Sequence, residues 1–85
     1  MINVCDDCEY TILVADLIAT LMVLEKDNER FELKLWYNNR DLPFTFESDC
    51  AFDFLQEGIR IDNMATILYL WYDAIECFEV IRKGD

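Results

Sequence analysis

Histidine is absent from the chain, and with it the commonest general base and the commonest metal ligand near neutral pH. A nucleophile–base pair of the Ser-His or Cys-His kind has nothing to be built from. Glycine occurs only at Gly58 and Gly84, so no glycine-rich loop exists to hold a phosphate. Positive charge is scarce as well. Seven Lys and Arg stand against eighteen Asp and Glu, for a net charge of −11. Such a chain is repelled by nucleic acid and anionic membrane and attracted to basic surfaces. The apolar run from Tyr10 to Leu24 is too short to span a bilayer, and Asp16 interrupts it. Asp6, Asp7 and Glu9 precede it, where a signal peptide carries positive charge. The expectation is a cytoplasmic protein.

What is present is apolar enough to fold. The 85 residues are 54% hydrophobic, which suits a single acidic domain over 1–85 and is far from a disordered composition. Arg30 to Tyr37 alternates, with Phe31, Leu33, Leu35 and Tyr37 facing one way and Glu32, Lys34 and Trp36 the other, which is strand periodicity. Asn38-Asn39-Arg40-Asp41 has turn chemistry. Phe44 and Phe46 then alternate with Thr45 and Glu47, so the two runs predict an antiparallel hairpin. Ile2 and Val4 suggest a further short edge strand.

Ser48 reads as an N-cap and Gly58 as a helix terminator. Between them Ala51, Phe54 and Leu55, with Phe52 at the edge, form one apolar helical face. Asp49, Asp53 and Glu57 then lie on the opposite face at spacings of four. Asp6 to Glu9 resembles a capping box opening a helix to about Leu24 that is apolar nearly all round, with a strand over Thr20 to Glu25 as the rival reading of its end. Such a helix serves as the centre of the core or as a dimer interface. Asp62 can cap a long last helix to Lys83; a strand over Thr66 to Tyr72, rich in β-formers, competes with it. The fold class expected is α+β, an antiparallel hairpin packed on about three helices, one opened by the Asp6–Glu9 box and running to about Leu24 and the others at about 49–57 and 63–82.

Cys5-Asp6-Asp7-Cys8 has the two-residue gap of a zinc half-site. Cys50 and Cys77 are isolated in sequence, and the flanking aspartates disfavour thiolates at Cys5 and Cys8. The reading is four reduced, free cysteines, with no metal and no cofactor. No carboxylate is singled out by its neighbours as an acid or base, so the chain is read as non-enzymatic.

The acidic surface remains. Residues 1–25, 41–59 and 61–81 hold five, five and four acids and no base. The partner-binding residues expected are Asp49, Asp53 and Glu57 with Glu47 and Asp41 alongside, Asp73 and Glu76 as a second group, and Trp36 as an aromatic anchor. In size, charge and helix–hairpin–helix–helix order the chain resembles small phage-encoded inhibitors of nucleic-acid enzymes, anti-CRISPR and anti-restriction proteins among them. That resemblance implies a DNA mimic that binds the basic site of a nucleic-acid enzyme and does not touch nucleic acid itself. The alternatives are an antitoxin or immunity protein covering a toxin's active site, and a homodimeric assembly protein.

Overall fold

The computed structural model describes residues 1–84. Its elements in chain order are β1 (Ile2–Val4), α1 (Ile12–Lys26), β2 (Phe31–Tyr37), β3 (Phe44–Glu47), β4 (Ala51–Phe54), β5 (Gly58–Asp62), β6 (Ile67–Trp71), a 3-10 turn (Tyr72–Ala74) and β7 (Ile75–Arg82). One sheet has the order β1-β4-β5-β6, with β1 parallel to β4 and the other pairs antiparallel. The second has the order β3-β2-β7 and is antiparallel throughout. The described residues are therefore mostly β, with one helix of 15 residues and seven strands in two sheets among them. This corrects the expected α+β domain of three helices, and with it the helix–hairpin–helix–helix order on which the resemblance partly rested.

The hairpin β2–β3 is present as its alternation predicts, paired from Glu32↔Glu47 to Leu35↔Phe44. Asn38 and Asn39 turn the chain with φ of 53° and 60°, a left-handed conformation that asparagine tolerates better than most residues. The two helices expected downstream are strands. In the 49–57 segment, Cys50, Phe52 and Phe54 are buried at a period of two. Ser48 makes a turn, its amide donating to Phe31 O at 3.0 Å, and caps no helix. Gly58 ends no helix either; it lies in β5, where an added Cβ would sit 2.5 Å from Leu70 O and 2.8 Å from the Tyr69 ring. Glycine is needed there for space.

The 63–82 segment forms β6, the 3-10 turn and β7. Leu70 and Tyr72 are buried and Leu68 half-buried, while Ile67, Tyr69 and Trp71 are exposed. This is the strand that the β-formers of Thr66 to Tyr72 favour. In β7 the register against β2 slips between Trp36↔Cys77 and Tyr37↔Ile75. The extra residue is a β-bulge, and it makes the inward positions run Ile75, Phe78, Val80. A three-residue step inside a strand mimics helical spacing.

The one helix starts at Ile12, later than the expected capping box. Thr11 is its N-cap, its hydroxyl accepting from Val14 N at 3.2 Å. Val14, Leu17, Ile18, Leu21 and Leu24 are buried against both sheets in one hydrophobic cluster, so a single face of α1 enters the core. The opposite face is open to solvent although it carries Ile12, Ala15, Ala19, Met22 and Val23. Phe52 joins the sheets: its ring centroid lies 6.3 Å from Phe31 and 6.4 Å from Phe46.

Cys5 and Cys8 are joined by a disulfide, with Cα atoms 5.5 Å apart. The expectation of four free cysteines is corrected; only Cys50, buried, and Cys77, exposed, are free. The flanking aspartates oppose a thiolate, and a disulfide carries no thiolate charge. Burial pushes the Cys50 thiol above its ordinary value. The Cys5–Cys8 bridge closes a very short loop, so reduction should lower stability by no more than about 2 kcal/mol on the loop-entropy relation, read by denaturant melts with and without a reductant.

An acidic, aromatic cavity as candidate functional site

The expected row of carboxylates does not exist as a row, because its helix does not. Asp49 is exposed in the β3–β4 turn. Asp53 points outward from β4 but is neutralised: Arg60 Nη1 on β5 donates to it at 3.0 Å and Asn3 Nδ2 on β1 at 2.7 Å. Glu47 on β3 stands opposite Glu32, and Lys83 Nζ lies 3.5 Å and 3.6 Å from the two, offsetting their repulsion. Asp41 is exposed in the hairpin loop beside Arg40, whose guanidinium sits 4.3 Å from the centroid of Phe44. Glu76 accepts from the Asn39 backbone amide at 3.0 Å and so braces the same loop. Trp36 is half-buried on the outer face of the second sheet, opposite Cys77.

Glu57 and Asp73, placed in different groups by the sequence, are brought together. They line a cavity of about 380 Å³ with Glu9, Thr11, Gln56, Trp71 and Tyr72. Two contacts fix the first pair. Tyr72 N donates to Glu57 O at 3.1 Å, and the Tyr72 hydroxyl donates to Leu55 O at 2.6 Å. The β4–β5 turn is thereby clamped to the 3-10 turn that carries Asp73. Glu9 arrives through its neighbour Tyr10, whose ring meets Tyr72 edge-on at 5.8 Å. The Tyr10 hydroxyl also accepts from Cys5 N at 3.2 Å and lies 3.1 Å from Cys5 O, tying the disulfide loop to the same corner. Trp71 closes the cavity with an indole that is 52% exposed.

Among the described residues no lysine or arginine lines this cavity, and no ion pair reaches Glu9, Glu57 or Asp73. Three carboxylates and an exposed indole suit a cation: the carboxylates accept charge-assisted hydrogen bonds, and the indole face attracts a guanidinium or ammonium. Among the described residues no group of Cys, Asp and Glu is placed to hold a metal ion. Burial pushes the Tyr72 phenol well above its usual value of 10.0.

That shift has a signed consequence. The unfolded chain loses the Tyr72 proton above about pH 10 while the fold retains it, so stability is full below that pH and falls as pH rises above it. Tyr72→Phe should abolish this part of the alkaline loss. At neutral pH it should cost about 1 kcal/mol, since the Leu55 carbonyl loses its donor. Denaturant melts at neutral and alkaline pH check both.

Glu9 and Trp71 were not among the residues the sequence singled out. In sequence Glu9 reads as half of a capping box, and Trp71 as part of a helical core face. The signal that finds Trp71 is strand alternation through Ile67, Tyr69 and Trp71, which the helical reading masked. Comparisons with protein-family models, curated proteins and solved structures find no match to the chain.

Proposed function

We propose that the chain is a non-enzymatic acidic inhibitor that binds the basic nucleic-acid site of a partner enzyme, a nucleic-acid mimic of the phage anti-defence kind such as an anti-CRISPR or anti-restriction protein. The observation that carries this reading is the un-neutralised Glu9–Glu57–Asp73 cavity with Trp71 at its wall, in a chain of net charge −11. Lys and Arg side chains that contact phosphates are the natural occupants of such a site. The wider acidic surface, Asp41, Glu47 and Asp49 included, steers the encounter. The place of action is the cytoplasm, where such enzymes work. Among the described residues no helix is long and apolar enough to cross a membrane.

The test is affinity capture from a bacterial lysate with the wild-type chain, followed by elution with competing nucleic acid. The expected result is a nucleic-acid enzyme that nucleic acid releases. A small toxin on the column would favour an antitoxin or immunity role instead.

A second reading has its own observation. Ala15, Ala19, Met22 and Val23 leave one side of α1 apolar and exposed, beside Val80. A homodimer through α1 would cover that side. Sedimentation should then show a dimer that Val23→Glu makes monomeric; a monomer at all concentrations would end this reading.

A further inference from the structure

The four sheet edges are unequally protected against pairing with another chain. β1 has three residues, β3 carries Glu47, and β7 carries Glu76, Glu79 and Arg82. Short length and charge are the usual devices that keep an edge from pairing. β6 is the remaining edge, and its sequence Ile-Leu-Tyr-Leu-Trp has neither charge nor proline.

Its backbone is open in a defined pattern. The β5–β6 ladder is anchored at its ends, Asn63 N donating to Thr66 O at 3.2 Å and Tyr72 N to Glu57 O at 3.1 Å. Hydrogen-bonded pairs alternate in an antiparallel ladder. Leu68 and Leu70 therefore turn their polar groups to β5, and Ile67 and Tyr69 turn theirs outward. Trp71 N donates to the Tyr37 hydroxyl at 3.1 Å, which closes the edge at that end. On the outer face of the sheet, Ile67, Tyr69 and Trp71 form an exposed stripe, with the Tyr69 and Trp71 rings 5.1 Å apart. The stripe ends at the acidic cavity, because Trp71 belongs to both.

We propose that the β6 edge receives an extended, basic segment of the partner, which adds a strand to the first sheet and places a Lys or Arg side chain in the Glu9–Glu57–Asp73 cavity. The proposal rests on the reading that the partner is basic and specifies how it docks. Main-chain hydrogen bonds to Ile67 and Tyr69 hold the segment, and the cavity selects its charge. A second copy is the other natural occupant of such an edge. Antiparallel self-pairing would bring the turn before Ile67, Asp62 to Thr66, toward the partner copy's cavity, and that turn contains no cation. It would also bring together two chains each of net charge −11. Charge complementarity therefore favours the basic segment.

The test uses the full chain, isotope-labelled, and two short capped peptides with arginine at both ends. One has alternating valine and threonine between the arginines; the other has glycine and serine. The valine–threonine peptide is expected to slow exchange of the Ile67 and Tyr69 amides by about tenfold or more and to shift the Glu9, Glu57 and Asp73 carboxyl signals. The glycine–serine peptide should do neither at equal concentration. Ile67→Glu, at a side chain 55% exposed, adds negative charge and should nevertheless abolish the protection. Equal carboxyl shifts with both peptides and no amide protection would overturn strand addition and leave the basic-partner reading standing. No carboxyl shift with either peptide would overturn both. Protection of the same amides without peptide, rising with protein concentration, would assign the edge to a second copy and overturn the proposal.

Discussion

Phe52→Ala is expected to lower stability by about 3–5 kcal/mol, the usual cost of truncating a fully buried phenylalanine. Phe52 is 0% exposed, and its ring touches Phe31 and Phe46 of the other sheet, so the cavity left behind would open at the junction of the two sheets. A domain of 85 residues holds about 4–13 kcal/mol in total. The variant should lose about a quarter of its stability or more, with a melting temperature lower by about 12 °C or more. Leu55→Ala is the matched comparison. Leu55 is 39% exposed in the β4–β5 turn, and its loss should cost about 1 kcal/mol or less. An amphipathic helix over 49–57 would reverse this order, since Leu55 would then face the core and Phe52 its margin. Thermal melts of the two variants therefore test the fold where sequence and structure disagree most.

The second large effect concerns binding. Reversing charge at Glu9, Glu57 and Asp73 together should weaken the captured complex by about a hundredfold or more. Each hydrogen bond to a charged group contributes about 1.5–3 kcal/mol, and reversal adds repulsion to the loss. The fold should survive, because all three side chains are exposed and none is in an ion pair among the described residues. The neutral triple Glu9→Gln, Glu57→Gln, Asp73→Asn should fall between. Asp53 behaves differently: its replacement removes the partner of Arg60 and acts on the β4–β5 ladder more than on binding. Trp71→Ala should raise the off-rate with little change in salt dependence, as loss of an aromatic anchor does.

How much of this was legible in the sequence follows from particular residues. Phe31 to Tyr37 is long, strictly alternating and bounded by asparagines, and its strand and hairpin are present. β4 is four residues long, and its carboxylate spacing of four falls on one face of a strand as well as of a helix. Period alone could not separate the two. The last segment misled through its bulge, which turned strand alternation into the step from Ile75 to Phe78. Glu57 and Asp73 were visible as candidates. Their meeting was not, because it depends on Tyr72 reaching Leu55 and Glu57 across two turns.

On the proposed reading, the acidic cavity takes the place of nucleic acid on a basic enzyme surface. The measurement that reaches it most directly is competition: nucleic acid bound to the captured enzyme, titrated with wild-type chain and with the triple reversal at Glu9, Glu57 and Asp73. The wild-type chain is expected to displace the nucleic acid, less so as salt rises, and the reversed variant is expected not to. Equal displacement by both would contradict that reading.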